Sequence, residues 1–212
     1  GEKVDVLEAQ LHQMTQSAMP QLPEQQKSLT LKEKRKMVAE SKWQKKQAKG
    51  KSSNGKGPTE AQVDNLLELY KNGRHDEAEE LAMSMTRQFP KHPFGWKVLG
   101  VVLGVEDRKL EAEKANQRAV KLAPQDSEAL CNLGVTLQAL GRFDESEVRL
   151  RQAIGLKTDY AAAHFNLGIV LKALGRINEA EASYSKCLIL KPDYAEAHNN
   201  LGNILKELGR LK

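Results

Sequence analysis

A Leu-Gly pair recurs every 34 residues in this 212-residue chain. The four pairs are Leu99-Gly100, Leu133-Gly134, Leu167-Gly168 and Leu201-Gly202. Arginine follows the same period, at Arg74, Arg108, Arg142, Arg176 and Arg210. A spacing of 34 residues is that of a repeated helix-turn-helix unit. The period therefore predicts an all-α, right-handed helical solenoid.

The period divides the second part of the chain into units of two helices each. The predicted units are 59–92, 93–126, 127–160 and 161–194, followed by a half-unit, 195–212. Within the third unit, Leu130, Leu133 and Leu137 have the spacing of a buried helical stripe. Gly141 is expected to end that helix, because glycine reaches the left-handed conformation without steric cost. The residues expected to pack the repeats together are Trp96, Leu99, Gly100, Leu133, Gly134, Leu167, Gly168, Ala180, Leu201 and Gly202.

These residues resemble the signature of the tetratricopeptide repeat (TPR), which has a bulky residue, a Leu-Gly pair, small residues and a proline at fixed places. The second unit matches with Trp96, Leu99, Gly100, Ala112, Ala119 and Pro124, and the fourth with Leu167, Gly168, Ala180, Tyr184 and Pro192. Three residues depart from the pattern. Thr158 replaces the proline of the third unit, Asn116 replaces an aromatic residue, and Leu66 replaces the glycine of the first unit.

The segment DYAEAHNNLGNILKELGR, residues 193–210, is similar to the repeats of O-linked N-acetylglucosamine transferases. It also resembles the repeats of bacterial proteins that carry a sulfotransferase or glycosyltransferase domain after the repeats. Those transferases have a ladder of asparagines on the concave face of the repeats, and Asn132, Asn166 and Asn200 stand at the matching place. The resemblance implies that this ladder guides a peptide.

The asparagine ladder is the strongest candidate for a binding site. An amide both donates and accepts hydrogen bonds, so it can hold a peptide backbone of any sequence. Phe165, Asn199 and Asn203 are predicted to share the concave groove with Asn132, Asn166 and Asn200. The alternative is that asparagine is only a solvent-compatible residue of the repeat, and the sequence leaves both interpretations open.

The sequence offers no catalytic or metal-binding constellation, and we expect no cofactor. His164 and His198 are separated by the repeat period and are expected to pack against a neighbouring helix. Carboxylates near the starts of second helices, such as Glu145 and Glu179, are expected to stabilise those helices through the helix dipole. Repeat domains that clamp chaperone tails have Lys or Arg where this chain has Glu128 and Asn132, which disfavours that partner.

Two functions follow from this reading. The first is a protein-protein interaction module that binds an extended peptide or a partner helix in the concave groove. The alternative is the substrate-recognition region of a protein O-glycosyltransferase or sulfotransferase, whose catalytic domain lies beyond Lys212. Leu201, Leu205 and Leu208 lack a covering helix in the sequence, and the chain starts with Gly1, so we expect a fragment of a longer protein.

The chain before the repeats has a different composition. Residues 1–26 are predicted to contain a short amphipathic helix, and residues 27–58 a basic, partly disordered arm and linker. Between Lys27 and Lys56, eleven Lys or Arg face two Glu, a net charge of +9 against +5 for the whole chain. A contact with nucleic acid or another polyanion is an open alternative for this arm.

No apolar run reaches the roughly 20 residues of a membrane-spanning helix, so no membrane insertion is expected. The absence of a signal-peptide pattern favours a cytoplasmic location, and the basic run Lys32–Lys36 keeps a nuclear address open. The two cysteines, Cys131 and Cys187, have no metal-ligand spacing, and Cys187 is expected in the core.

Overall fold

The computed structural model describes residues 57–210. The amphipathic segment 1–26, the basic run Lys27–Lys56 and residues 211–212 lie outside the described residues. Residues 57–210 contain nine α-helices and no strand. The helices are α1 (Glu60–Lys71), α2 (His75–Gln88), α3 (Pro93–Val105), α4 (Lys109–Leu122), α5 (Ser127–Ala139), α6 (Phe143–Leu156), α7 (Ala161–Ala173), α8 (Ile177–Leu190) and α9 (Ala195–Glu207). The prediction of an all-α helical repeat is confirmed.

The odd-numbered helices are called first helices here and the even-numbered ones second helices. A tight turn joins each first helix to its second helix, and one residue of the turn has a positive φ. Gly141, after α5, has φ 74°, which confirms that it ends this helix. In the preceding repeat Asp107 takes the same conformation with φ 59°, since a short polar side chain tolerates the left-handed region.

The core runs along the repeats between first and second helices, and each helix packs against the next one in the chain. The predicted stripe of α5 is buried, with Leu130, Leu133 and Leu137 each less than 5% exposed. Cys187 is fully buried on α8, as expected. Within residues 57–210, no helix is both long enough and apolar enough to cross a bilayer.

The glycines of the first three Leu-Gly pairs, Gly100, Gly134 and Gly168, each lie under a side chain of the second helix that follows. A Cβ atom on Gly168 would come within 2.6 Å of Cε1 of Tyr184, and one on Gly134 within 2.8 Å of Cγ of Leu150. Both distances are far shorter than an ordinary van der Waals contact. The absent side chain of the first helix therefore makes room for a large side chain of the second helix.

The first repeat exchanges the large and the small residue between the two helices. Leu66 on α1 replaces the glycine, and Ala82 on α2 stands where Leu150 and Tyr184 stand in later repeats. Leu66 and Ala82 are both fully buried. Because a core tolerates changes that conserve its total volume, the departure at Leu66 is compensated within the same repeat.

Asn116 on α4 stands in the second repeat at the position that Ala82, Leu150 and Tyr184 occupy in the other repeats. Its side chain is 1% exposed, and its amide Nδ2 donates to Oγ1 of Thr136 on α5 at 2.9 Å. The Thr136 hydroxyl in turn donates to the backbone carbonyl of Asn132 at 2.9 Å. Asn116 therefore replaces the apolar contact of an aromatic ring by a buried hydrogen bond to the next repeat.

The periodic arginines form a ladder of ion pairs along the second helices. Each stands at the N-cap of a second helix or, for Arg210, at the equivalent position after α9. Arg176, for example, binds Glu179 of its own helix α8 and Glu147 of the preceding second helix α6, both at 2.7 Å. The corresponding pairs to the preceding second helix are Arg108–Glu79, Arg142–Glu113 and Arg210–Glu181.

Contacts with the arginines favour the charged form of Glu145, Glu147 and Glu179. Hydrogen bonds from Arg142 hold the pKa of Glu145 below its usual value, and Arg176 does the same for Glu179. Partial burial raises the pKa of Glu147, but hydrogen bonds from Arg151 and Arg176 outweigh it and leave that pKa lowered. Glu147 and Glu179 also join successive repeats, since Glu147 pairs with Arg176 and Glu179 pairs with Arg151.

The Leu-Gly glycines allow a comparison of one substitution at equivalent positions. We expect Gly168→Ala to lower the free energy of unfolding by about 1 to 3 kcal/mol, because the new methyl group overpacks against Tyr184. Gly202→Ala is the matched control, since a Cβ there meets nothing within 4 Å. It should raise that free energy by about 0.5 to 1 kcal/mol, the usual gain of alanine over glycine inside a helix. Urea unfolding followed by circular dichroism measures both, and a stabilising Gly168→Ala would contradict the packing argument.

The arginine ladder allows a similar comparison between a buried and an exposed pair. Arg108→Ala should lower the free energy of unfolding by about 2 to 3 kcal/mol, because it leaves the Glu79 carboxylate, 9% exposed, without its cation. Arg74→Ala removes an N-cap arginine whose pair with Glu77 is 55% exposed on both sides, so it should lower that free energy much less. Thermal and urea unfolding of the two variants measure the difference. Equal losses in both variants would count against the buried pair, whereas partial recovery in Arg108→Ala/Glu79→Gln would support it.

Candidate functional site

The first helices form one side of the repeat array. Helix α5 is in contact with both α3 and α7, so residues of one register follow each other along this side. We call the exposed surface of α3, α5, α7 and α9 the first-helix face. Asn132, Asn166 and Asn200 occupy one register on α5, α7 and α9, and each is half-buried.

Two of the three ladder asparagines, Asn166 and Asn200, have side-chain partners within the protein. Nδ2 of Asn166 donates to the backbone carbonyl of Ala162 at 2.8 Å, and the same side chain contacts the Cys131 thiol. The Asn200 side chain lies near the Tyr184 hydroxyl, and burial raises the pKa of Tyr184 to about 12. The groups of Asn166 and Asn200 that remain available to hydrogen-bond a ligand are therefore mainly their side-chain oxygens, which accept from N–H groups.

Phe165 lies on α7 beside Asn166 and is half-buried. Its ring contacts Tyr184, with ring centres 5.9 Å apart, and Tyr194, with ring centres 4.8 Å apart. Tyr184 is itself 1% exposed, so the ring of Phe165 rests on the core. The structure brings Phe165 and the asparagines to the same face, and Asn199 and Asn203 are exposed on α9.

The register of Phe165 changes character along the face. On α3 the residue is Lys97, whose Nζ lies 3.0 Å from Asp126 and 2.6 Å from Glu128. Partial burial opposes its charge, but the hydrogen bonds that Lys97 donates to Glu128 and Asp126 raise the pKa of Lys97 above its usual value. The face is therefore built from ion pairs at α3 and from aromatic rings at α7.

Between these two regions lies Cys131 on α5, a groove position that the sequence places in the register of Phe165. Its thiol contacts the side chains of Tyr160 and Asn166. Burial raises the pKa of the Cys131 thiol to about 11, so it is protonated at neutral pH and is not an activated nucleophile. Burial likewise raises the pKa of Tyr160. Cys131, Tyr160 and Asn166 can therefore bind a ligand by hydrogen bonds and apolar contact.

His164 and His198 make a contact that the sequence did not predict. Their Nε2 atoms bond the backbone carbonyls of Thr158 and Pro192, six residues earlier, at 3.1 and 2.8 Å. Nε1 of Trp96, in the same register, reaches the carbonyl of Pro90 at 3.3 Å. Each ring thus ties the loop before a first helix to that helix. The sequence signal that could have predicted these contacts is the register that His164, His198 and Trp96 share, together with the ring nitrogen of each side chain.

The remaining predicted packing residues lie between first and second helices. Those buried in the structure are Leu99, Gly100, Leu133, Gly134, Leu167, Gly168 and Ala180. Trp96, Leu201 and Gly202 are half-buried.

Comparison with protein families finds tetratricopeptide repeats along this region. Models described as "Tetratricopeptide repeat" match residues 64–127 and 115–148, and one described as "TPR repeat" matches residues 170–209. Together these matches span more than half of the chain. A comparison with curated proteins gave no significant match.

Solved structures share the fold at low sequence identity. PilF of Pseudomonas aeruginosa has a TM-score of 0.65 at 20% identity, with 70% of this chain and 68% of that chain covered. The first TPR of Spaghetti (RPAP3), bound to the HSP90 peptide SRMEEVD, has a TM-score of 0.54 at 24% identity, covering 55% and 93%. YrrB, described as a TPR protein with an unusual peptide-binding site, has a TM-score of 0.57 at 17% identity, covering 73% and 80%.

These matches support the repeat family and not the closer resemblance to O-linked N-acetylglucosamine transferases, for which they give no evidence. The glycosyltransferase alternative is likewise unsupported. The matched models, the helix pairs and the buried Leu-Gly pairs agree with each other. The chain belongs to the tetratricopeptide-repeat family.

Proposed function

We propose that the first-helix face is the concave groove of a protein-protein interaction module, and that it binds an extended peptide segment of a partner protein. The observation that carries the proposal is the register shared by Asn132, Asn166 and Asn200 on three successive first helices. Amides at a regular spacing can pair with successive backbone groups of an extended chain.

The hydrogen bonds within the ladder support this role. Asn166 donates to the backbone carbonyl of Ala162, and Asn200 lies near the Tyr184 hydroxyl, so both side chains are held in place before a ligand arrives. Pre-organised side chains lose less conformational entropy on binding than mobile ones. Their side-chain oxygens then offer acceptors to the N–H groups of a peptide backbone.

The similar structures support peptide binding as a function of this fold. Spaghetti is described with a bound HSP90 peptide and YrrB with a peptide-binding site. This chain has Glu128, Asn132 and Asn166 at places where carboxylate-clamping repeats have basic residues. The proposed ligand is therefore an internal segment held by its backbone, and a free C-terminal carboxylate is not required.

The test is a triple substitution, Asn132→Ala/Asn166→Ala/Asn200→Ala. A random peptide library displayed on phage is selected on the full chain, and the affinity of a selected peptide is measured by fluorescence polarisation. Each lost hydrogen bond is worth about 0.5 to 1.5 kcal/mol, so the triple variant should bind at least about tenfold more weakly.

The matched control removes three amides from the second helices, by Gln117→Ala, Gln152→Ala and Asn178→Ala. These residues are exposed on α4, α6 and α8. We expect the control to keep its affinity and both triple variants to keep their helical circular dichroism. Equal affinity of the asparagine variant and the parent chain would reject the ladder as the binding element.

A further inference from the structure

Helix α7 differs from the other first helices in the residues that it turns toward the first-helix face. In the register of Phe165 the neighbouring helices carry Lys97, Cys131 and Asn199. One turn further along α7, Ile169 is half-buried, and Val135 in the same register of α5 is 39% exposed. We define the apolar region of the first-helix face by three residues, Phe165, Ile169 and Val135; in the register of Ile169, α3 also carries the half-buried Val101 and α9 the exposed Asn203.

The ring of Phe165 is held rigidly enough to act as a binding platform. It packs against Tyr184 and against Tyr194, whose ring plane is inclined by 30° to its own. Tyr184 is buried in the core, and Nζ of Lys191 lies 5.0 Å from the centre of the Tyr194 ring. A half-exposed aromatic ring on a fixed base is the typical anchor of a protein interface.

A carboxylate stands beside this region on the next first helix. Glu196 is exposed at the start of α9, two residues after Tyr194, and its charge contributes to the raised pKa of Tyr194 after burial and the neighbouring Cys187. Within residues 57–210 no ion pair joins Glu196 to a cation, and Lys191 remains on the Tyr194 ring. The apolar region is thus bordered by one negative charge that has no counter-ion.

We propose that this region selects the peptide: Phe165, Ile169 and Val135 receive a large apolar side chain, and Glu196 receives an Arg or Lys of the same segment. The inference rests on the proposed function and assigns the side-chain chemistry of its ligand. The expected occupant is a segment of another protein that carries both a basic and an apolar side chain, because the charge that borders the region is negative.

Geometry sets the spacing of the two ligand side chains. Packed helices lie about 8 to 10 Å apart. An extended chain advances about 3.3 Å per residue. A peptide that crosses from α7 to α9 therefore covers about two to three residues, so the basic residue stands two or three positions from the apolar one. Asn166 and Asn200 lie on the same two helices and hold the backbone between the two side chains.

The first experiment selects twelve-residue random peptides on the full chain and sequences those bound. We expect enrichment of a large apolar residue two or three positions from Arg or Lys. Binding that is lost in the asparagine triple variant but shows no such pair would overturn this inference and leave the proposed function standing. A library that yields no peptide bound to the first-helix face would overturn both this inference and the proposed function.

The second experiment measures one enriched peptide by fluorescence polarisation. Phe165→Ala should weaken binding about tenfold, as expected for an interface anchor. Glu196→Gln should weaken it about two- to fivefold, with the difference shrinking at high salt because exposed charges are screened. The matched controls are Val148→Ala, a 51% exposed valine on α6, and Glu80→Gln, an exposed glutamate on α2; both should stay within about twofold.

A charge exchange keeps the test decisive even if Phe165→Ala perturbs the fold. Glu196 is exposed, so Glu196→Lys leaves the core intact. This variant should reject the parent peptide and regain affinity for the same peptide with its Arg or Lys changed to Glu. Failure of the exchanged peptide to recover binding would overturn the pairing with Glu196.

Discussion

The close approach of a first and a second helix at the Leu-Gly glycine is the contact on which the other features of the repeat depend. Gly168 and Gly134 leave no room for a side chain under Tyr184 and Leu150. Because the glycine of the first helix has no side chain, the large side chain of the second helix fills the core of the repeat. The exchange of Leu66 and Ala82 in the first repeat shows that the total volume is required and that either helix can supply it.

The regular packing gives every side chain an equivalent 34 residues away, and the rest of the structure uses this regularity. On the second helices it aligns the arginine ladder, in which Arg108 and Arg176 each join a carboxylate of their own helix to one of the preceding repeat. On the first helices it aligns Asn132, Asn166 and Asn200. One periodic core thus supports an electrostatic link between repeats on one side and a row of amides on the other.

Much of the fold could be predicted from the sequence because the residue spacing within each repeat indicates where its helices begin and end. The buried leucines of α5 and the turn at Gly141 follow from local spacing alone. The partners of the periodic arginines could not be predicted, since Glu79 and Glu147 are 29 residues from Arg108 and Arg176 and only the stacking of repeats brings them near. The bonds of His164 and His198 to loop carbonyls were missed because the sequence does not show where a ring points.

The sequence by itself determined the repeat period, the helix pairs and the register of the asparagines, since these depend on residues close together in the chain. Only the tertiary structure decided the surroundings of that register. It set Phe165 on Tyr184 and Tyr194, placed Asn200 against Tyr184 and left Glu196 without a cation in the described part of the chain. The physical reason is that these residues belong to different helices, so the distance between their side chains depends on how the helices pack.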